Sequence, residues 1–315
     1  MESIKKSTME KKNFRILVLD GGGSKGIYTL GILQELELKI GTTLDKHFDL
    51  IYGTSTGSII GALLALGKTV QEIKDLYIKL IPEIMSERNR IGKSRKLKEL
   101  ADEVFGNLDF KAFKTDIGIV SLNYETQNPL IFKSNINQAH GMKQSFLPGF
   151  GCTISDAVQA SCSAYPVFDT KTVQTDNYGT ITAIDGGFIA NNATLFALVD
   201  ADKAFEVLHD TLQVLSIGTG KFVEKPMKGI IKYLKWFKAV RFVERVLSAS
   251  TNTNVILAKL LYPNIPIVRI NNTYNEPQYG TNMVEEDLEK LEKMFQLGRD
   301  SYAQQEKEIV SLFGI

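Results

Sequence analysis

The sequence has few of the residues that mark several large classes of protein. Its 315 residues include only two cysteines, Cys152 and Cys162, which is too few for a disulfide framework and fits a reducing cytosol. No apolar run approaches the ~20 residues that a membrane-spanning helix needs. The chain also has no large excess of one charge, because 37 Lys and Arg against 36 Asp and Glu give a net charge of +1. A general nucleic-acid binder is usually more basic, so neither DNA nor RNA is expected as a partner.

The remaining composition is that of an ordinary globular protein, with 43% hydrophobic and 23% charged residues. The N-terminal segment MESIKKSTMEKK lacks the apolar stretch of a secretory signal peptide. We expect residues 1–12 to form a disordered polar leader. Residues 13–315 are expected to form one domain, because no repeat, low-complexity stretch or change of composition marks a linker.

Short apolar runs that alternate with helical patterns predict an α/β protein. The runs FRILVLD (14–20) and FDLIYG (48–53) are continuously apolar, as central buried strands are, and glycines and a helical pattern follow each of them. This alternation predicts a mainly parallel sheet with helices on both faces, a three-layer α/β/α sandwich. The further predicted strands are 117–124, 129–134, 180–185 and 212–218, and the further predicted helices lie within 228–261 and 284–312.

A glycine-rich loop, DGGGSKG from Asp20 to Gly26, lies between the first predicted strand and its helix. Glycines let a backbone approach a ligand closely, and the start of a helix favours an anion. One candidate is the dinucleotide site of an oxidoreductase, because Gly21, Gly23 and Gly26 fit Gly-x-Gly-x-x-Gly. That site also needs an acidic residue after the second strand, where this chain has GTS at 53–55. A Walker-type phosphate loop fails, since no Lys-Ser/Thr pair follows the last glycine.

The third use of this loop is an oxyanion hole, in which backbone N–H groups stabilise a developing negative oxygen. A tight turn without a ligand is the remaining alternative, and three consecutive glycines disfavour it. The donors are expected around Gly22, Gly23 and the residue that follows them. The predicted oxyanion loop comprises Gly21, Gly22, Gly23, Ser24, Lys25 and Gly26.

A second motif, GTSTG at 53–57, has the form Gly-x-Ser-x-Gly between a buried strand and a helix. A nucleophile elbow requires that context, because its sharp turn exposes the serine hydroxyl at the start of the helix. Gly53 and Gly57 relieve crowding in such a turn. We therefore predict Ser55 as a nucleophile; the alternative is a serine that caps an unrelated helix.

A serine hydroxyl needs a base before it becomes a good nucleophile. Ser55, Asp185 and His209 follow the usual hydrolase order, so a triad is one hypothesis. Catalytic groups of a parallel sheet gather at the carboxyl ends of its strands, whereas His209 and His47 both precede their predicted strands. His140 lies in a predicted loop, so its position relative to the ends of the strands cannot be predicted.

Asp185 ends a predicted strand in the sequence Ile-Asp-Gly-Gly and is the better candidate base. A carboxylate that is hydrogen-bonded to Ser55 can accept its proton if partial burial raises the pKa of the carboxyl. The alternative is an aspartate that forms a turn before Gly186 and Gly187, and the shape of the motif leaves both interpretations open.

Together these motifs resemble those of the patatin-like phospholipase family, which are a glycine-rich oxyanion loop, Gly-x-Ser-x-Gly and a later Asp-Gly-Gly or Asp-Gly-Ala. Here they are DGGGSKG, GTSTG and DGG, in that order, with the family-like stretches ASCSAYPVF (160–168) and LSIGTG (215–220). The resemblance covers roughly residues 14–220. It departs from many members at Lys25, where they carry arginine, so the packing of the loop is expected to differ.

The resemblance implies a dyad of Ser55 and Asp185, without histidine, metal or cofactor, that hydrolyses the acyl esters of membrane phospholipids. The motifs also look like those of one bacterial branch, the CapV-type phospholipase effectors of antiphage signalling by cyclic oligonucleotides. This branch implies a cytoplasmic enzyme that a cyclic dinucleotide switches on and that then acts peripherally at the inner membrane. A constitutive lipase and a catalytically idle binding module are the alternatives, and a homo-oligomer is left open.

Two basic segments are candidates for contacts with lipid or nucleotide. The segment 228–247 repeats Lys or Arg every three or four residues among aromatic and aliphatic residues, which is typical of a helix on an anionic membrane. A core-packed helix with a solvated basic face is the alternative. The six cations within 88–98 could contact the phosphates of an activating nucleotide or lie in a solvated loop.

Overall fold

The computed structural model describes residues 12–224 and 235–315. The predicted leader lies outside the described residues apart from Lys12, and so does the part of the predicted basic helix before residue 235. Within the described segments, a mixed sheet of eight strands carries helices on both faces. The predicted α/β class is therefore confirmed.

The described strands and α-helices follow one another along the chain, joined by loops and single-turn helices. The strands are β1 (Phe14–Leu19), β2 (Leu50–Thr54), β3 (Asp116–Asn123), β4 (Pro129–Lys133), β5 (Lys171–Thr175), β6 (Gly179–Asp185), β7 (Leu212–Ile217), β8 (Lys221–Phe222), β9 (Ile267–Ile270) and β10 (Thr273–Tyr274). The α-helices are α1 (Gly26–Ile40), α2 (Thr56–Ala65), α3 (Val70–Met85), α4 (Arg90–Phe105), α5 (Ile154–Ser161), α6 (Gly187–Ala190), α7 (Thr194–Val199), α8 (Lys235–Leu261) and α9 (Leu288–Phe313).

The strands that lead to the two glycine motifs lie at the centre of the main sheet. The strand order is β5-β6-β3-β2-β1-β7-β9, and β4 also pairs with β3. β1 is parallel to both β2 and β7, with Leu19 opposite Gly53 and Ile217. The carboxyl ends of these three strands therefore meet at one edge of the sheet, where both glycine motifs begin.

The sheet is mainly parallel, as predicted, but the strands beyond β3 are antiparallel. β6 runs antiparallel to β3, with Asp185 opposite Ser121. The interpretation of Asp185 as a residue at the end of a parallel strand is therefore wrong. Asp185 nevertheless lies at the same edge of the sheet. It is the last residue of β6, and β6 pairs only with the last three residues of β3.

Two apolar cores, one on each face of the sheet, produce the three predicted layers. Side chains alternate along a strand, so Leu17 and Leu19 of β1 pack in the core that contains α1, α2 and α9. Ile16 and Val18 pack on the opposite face, in the core that contains α7 and part of α8. In the described part of the chain, no helix is both long and apolar enough to cross a membrane.

Helices α1 and α9 approach each other so closely that only glycine fits where they cross. A Cβ atom on Gly298 would lie 2.1 Å from the carbonyl oxygen of Tyr28, and one on Gly31 would lie 2.1 Å from the carbonyl oxygen of Phe295. Both neighbours are backbone atoms of a helix, so they cannot rotate away as a side chain can. A methyl group at either position would force the helices apart.

Gly298→Ala is therefore expected to destabilise the protein by about 1–3 kcal/mol, as overpacked core substitutions do. Gly61→Ala in α2 is the matched control, because its methyl would meet only side-chain carbons, the nearest being Ile51 Cγ2 at 3.2 Å. Alanine also stabilises a helix relative to glycine by about 1 kcal/mol, so Gly61→Ala should not destabilise the protein. Urea denaturation measures both free energies of unfolding. A Gly298→Ala protein as stable as the wild type would contradict the close crossing.

Candidate active site

Ser55 lies where β2 turns into α2, and its backbone is strained there. Its φ of 53° and ψ of −125° are rare for a residue with a side chain. Such a conformation costs about 1–3 kcal/mol and persists only where the surroundings impose it. Gly57 permits the sharp turn, because a Cβ there would lie 2.2 Å from the carbonyl oxygen of Leu19. A Cβ on Gly53 would likewise lie 2.3 Å from the Gly57 carbonyl oxygen. This strand–turn–helix geometry is the one that the serine motif predicts.

Hydrogen bonds hold both backbone polar groups of Ser55. Its N–H donates to Ser161 Oγ at 2.9 Å, and that hydroxyl donates to the Val120 carbonyl at 2.6 Å. The Ser55 carbonyl accepts the hydroxyl of Ser58 at 2.6 Å. The elbow is thus tied to α5 and β3 on one side and to α2 on the other, which keeps the serine in its strained conformation.

Asp185 carries a fully buried carboxyl group at the end of β6. The Gly187 N–H donates to its Oδ1 at 2.7 Å, while Oδ2 has no hydrogen-bond partner within the described residues. Burial raises the pKa of the Asp185 carboxyl to about 7, against the opposing effects of the Gly187 N–H and the Ser55 side chain. The group can therefore take up or release a proton near neutral pH.

The structure brings Ser55 and Asp185 together. The Ser55 side chain is one of the groups that lower the pKa of the Asp185 carboxyl, which places the two side chains close to each other. Oδ2 of that carboxyl makes no hydrogen bond to any described residue, so Ser55 does not donate to it in this structure. Hydrogen bonds between catalytic groups are often long before substrate binds.

The predicted oxyanion loop lies directly against Ser55. A Cβ on Gly21 would lie 2.9 Å from the Cβ of Ser55. Gly21 and Asn191 exchange two hydrogen bonds: the Gly21 N–H donates to the Asn191 carbonyl, and Asn191 Nδ2 donates to the Gly21 carbonyl, both at 3.2 Å. Asn191 follows α6, which begins just after Asp185. One short segment therefore positions both the carboxyl and the loop.

The N–H groups of the loop are not equivalent. Those of Gly22 and Gly23 have no hydrogen-bond partner in the described protein. The Ser24 N–H, in contrast, donates to the Met283 carbonyl at 3.0 Å, and Gly26 already begins α1. Gly22 and Gly23 therefore supply the available donors of the predicted oxyanion loop.

Lys25 of the predicted oxyanion loop is held by α8. Its Nζ lies 3.1 Å from Glu244 Oε1, and the same oxygen accepts the N–H of Met283 at 2.8 Å. Both charged side chains are largely buried, with 17% and 16% of their surface exposed. One carboxylate thus links the loop, α8 and the segment that contacts Ser24.

Asp20 anchors the beginning of the loop. Arg269 in β9 binds both oxygens of its carboxylate, and Asn192 Nδ2 donates to Oδ1 at 2.7 Å. Asp20 is only 2% exposed, so these donors compensate a buried charge that would otherwise be costly. Sequence reasoning missed Arg269 and Asn192, because neither belongs to a motif of its own.

The three histidines lie apart from the candidate serine. His209 directly precedes β7, at the opposite edge of the sheet, and its Nε2 lies 3.1 Å from Asp202. Burial lowers the pKa of His47 to about 4. His140 bonds to Asp200 through its Nε2 at 2.6 Å. The geometry therefore gives no support to a triad.

The His, Cys, Asp and Glu side chains of the described segments form no group of three that could hold a metal ion.

An apolar track begins beside Ser55 and runs between α2, α3 and α4. Its first part is a cavity of about 30 Å³ whose wall includes Gly23, Ser55 and Cys162. Its second part is a cavity of about 40 Å³. The walls of the two parts share Ile59, Ile81, Ile84 and Leu97. Each part has room for only a few water molecules, so the apolar track is nearly closed in this structure.

Cys162 is a neighbour of the candidate dyad that sequence reasoning did not single out. Burial, and next the charge of Asp185, raise the pKa of its thiol. The thiolate is the reactive form of cysteine, so this thiol stays unreactive and forms part of the apolar wall. The only signal in the sequence is its place in the stretch ASCSAYPVF.

The two basic segments both form helices where they are described. The run 88–98 lies mostly in α4 rather than in a loop, and Lys93 is buried there with its Nζ on the Met85 carbonyl. On α8, Val240 and Val243 are 2% and 1% exposed. From residue 238 onward the segment 228–247 is therefore a core-packed helix with a basic outer face; its beginning lies outside the described residues.

Comparisons with known proteins place the chain in a family. The family model of patatin-like phospholipases matches residues 17–198. A cUMP-AMP-activated phospholipase of Escherichia coli is 43% identical over 295 residues, which cover 94% of this chain and 92% of that protein. A cGAMP-activated phospholipase of Vibrio cholerae is 30% identical over 240 residues, which cover 66% of this chain and 65% of that protein.

A solved structure shows the same fold at low sequence identity. The crystal structure of VipD from Legionella pneumophila matches with a TM-score of 0.53 and 13% identity, covering 93% of this chain and 66% of that one. The family model covers more than half of the chain, and both glycine motifs lie within the matched residues. The chain therefore belongs to the patatin-like phospholipase family, and it is a hydrolase that acts on lipid esters.

Proposed function

We propose that this enzyme cleaves the acyl esters of membrane phospholipids through a dyad of Ser55 and Asp185, and that a cyclic dinucleotide switches it on. The observation that carries the chemistry is the fully buried Asp185 carboxyl, whose pKa is raised to about 7, next to a serine in a strained turn. A general base works best when its pKa is close to the working pH.

The proposed reaction uses the groups in order along the site. Ionised Asp185 accepts the hydroxyl proton while Ser55 Oγ attacks the ester carbonyl carbon, and the N–H groups of Gly22 and Gly23 stabilise the resulting oxyanion. Asp185 then gives its proton to the leaving alcohol, and an acyl-enzyme ester remains on Ser55. Water, deprotonated by Asp185, hydrolyses that ester and restores the serine.

The outer face of α8 supports contact with a membrane. Lys238 and Phe242 are exposed one turn apart, and Arg245 follows on the same face with 72% of its side chain exposed. Basic residues beside an aromatic ring are typical of a helix that lies on an anionic bilayer. We infer that this face touches the lipid surface while the enzyme is active.

Two observations support control by a nucleotide. The Escherichia coli relative, which is 43% identical over most of the chain, is a cUMP-AMP-activated phospholipase. The apolar track beside Ser55 is also nearly closed, with parts of about 30 and 40 Å³. A fatty acyl chain is many times larger than a few water molecules, so the track has to widen before a phospholipid can react. A ligand that favours the wider state would activate the enzyme.

Ser55→Ala is expected to lower kcat on a soluble ester by about 10⁴-fold or more, and Asp185→Asn by a similar factor, because groups that act as a unit fail together. His209→Ala is the control and should keep most of the activity. A fluorophosphonate should label the wild type and the His209 variant but not the Ser55 variant. Labelling that persists without Ser55 would identify another nucleophile.

The rate should also depend on the ionisation of Asp185. Only the ionised carboxyl accepts a proton, so kcat/KM should rise with pH through about 7 and should be about a hundredfold lower at pH 5 than on the plateau. His140→Gln and His209→Gln variants should show the same profile, which separates Asp185 from an ordinary histidine. A flat profile between pH 5 and 8 would mean that the base has an ordinary carboxyl pKa.

Replacing Lys238 with Gln and Phe242 with Ala should weaken binding to anionic vesicles roughly tenfold, since each cation near such a surface contributes ~1 kcal/mol and the ring adds buried apolar area. Lys307→Gln on α9 is the charge-matched control. Vesicle sedimentation at low salt measures the difference, and hydrolysis of a soluble ester shows that the site is intact. Unchanged sedimentation of the double variant would exclude this face as the membrane contact.

Phospholipid hydrolysis should increase about tenfold or more when the correct cyclic dinucleotide is added, which is within the usual range of allosteric coupling. Release of fatty acid from mixed phospholipid vesicles, measured with a panel of cyclic dinucleotides, tests this, and Ser55→Ala gives the background. Full activity without any nucleotide would show a constitutive lipase instead.

A further inference from the structure

A polar cavity of about 320 Å³ borders the oxyanion loop on a different flank from the apolar track. Gly21 and Gly22 line this polar cavity, whereas Gly23 and Ser55 line the apolar track. Met283 lies in the walls of both. The two cavities therefore meet at the glycine loop, and the volume of the polar cavity falls within the range of small-molecule sites.

The polar cavity has as many acidic as basic side chains in its wall, but Arg269 and Arg241 from outside the wall pair with two of the acidic ones, which leaves basic side chains of the wall incompletely neutralised. Its six charged side chains are Asp20, Lys25, Lys221, Glu224, Glu244 and Arg245. Each acidic side chain is already paired: Asp20 with Arg269, Glu244 with Lys25, and Glu224 with both Arg241 and Arg245. Lys221 is exposed and makes no ion pair with any described residue. An anionic ligand would therefore meet cations whose charge the wall does not fully neutralise, and phosphate is such a ligand.

The position of the polar cavity matches the architecture of a phospholipid. In a glycerophospholipid, the scissile ester carbonyl joins an apolar acyl chain to a polar glycerophosphate. If the carbonyl oxygen accepts hydrogen bonds from the free N–H groups of Gly22 and Gly23, and the acyl chain enters the apolar track, the glycerophosphate has to lie on another flank of the loop. The polar cavity is the space that the described structure offers there.

We propose that the polar cavity binds the glycerophosphate head group of the lipid substrate, with Lys221 and Arg245 contacting its phosphate. This inference rests on the proposed phospholipase activity and names the part of the substrate that the site recognises. A cyclic dinucleotide also carries phosphodiesters, but in this cavity it would lie against Gly21 and Gly22 and block the substrate. An activator has to bind elsewhere, so the lipid is the favoured occupant.

The test compares two soluble substrates that differ only in the phosphocholine group. One is a short-chain phosphatidylcholine below its micelle concentration, and the other is the diacylglycerol with the same acyl chains. Replacing Lys221 and Arg245 with Gln should raise KM for the phospholipid about tenfold, as expected for the loss of charge-assisted hydrogen bonds, and should change hydrolysis of the diacylglycerol far less. Lys259→Gln, on α8 but far from the cavity, should change neither.

A binding measurement makes the test independent of activity. In the Ser55→Ala background, binding of the short-chain phosphatidylcholine should strongly broaden its ³¹P line. The affinity obtained by titration of this broadening should fall about tenfold when Lys221 and Arg245 are also replaced. If the wild type hydrolyses neither substrate even when the panel of cyclic dinucleotides is added, the proposed function fails, yet this binding still decides the role of the cavity.

Three outcomes would overturn the inference. The first is equal phospholipid affinity with and without the two cations. The second is an equal loss toward both substrates, which indicates a general effect on the loop. The third is a loss of cUMP-AMP binding with phospholipid KM unchanged, which would assign the polar cavity to the nucleotide instead.

Discussion

The left-handed backbone of Ser55 is the constraint on which the rest of the site depends. A serine with a φ of 53° is unfavourable by itself, so the fold has to impose it. It does so by placing β2 between two parallel neighbours and by bringing the start of α2 so close to β1 that a Cβ on Gly57 would lie 2.2 Å from the Leu19 carbonyl oxygen. The oxyanion loop can then lie directly against the serine, because Gly21 has no side chain to keep it away.

Burial of Asp185 is the second physical feature, and it has a cost as well as a use. Burial away from solvent disfavours the charged form of this carboxyl, one oxygen of which has no hydrogen-bond partner among the described residues, and raises its pKa to about 7. The same burial makes the carboxyl a base of suitable strength for a serine hydroxyl. The apolar track beside Ser55, which has Cys162 in its wall, is nearly closed as well.

Much of this arrangement could be predicted from the sequence, because its causes are local. A glycine that permits a close approach lies next to the residue that it serves, so DGGGSKG and GTSTG predicted the loop and the elbow directly. The continuous apolar runs of β1 and β2 predicted central strands for the same reason. The rest depends on contacts between distant parts of the chain. The antiparallel direction of β6 is set by pairing with β3, and β9 has only four residues, one of which is Arg269. Glu244 and Met283 bind the loop from more than 200 residues further along the chain, and neither belongs to a recognisable motif.

In the proposed mechanism Ser55 attacks the ester, the N–H groups of Gly22 and Gly23 bind the oxyanion, and the apolar track receives the acyl chain. A crystal structure of the enzyme after reaction with a long-chain alkyl fluorophosphonate, whose tetrahedral phosphorus imitates the attacked ester, tests all three parts at once. We expect phosphorus bonded to Ser55 Oγ, its free oxygen within hydrogen-bond distance of the Gly22 and Gly23 N–H groups, and the alkyl chain between α2, α3 and α4. Phosphorus on another residue, or a free oxygen that points away from both N–H groups, would contradict it.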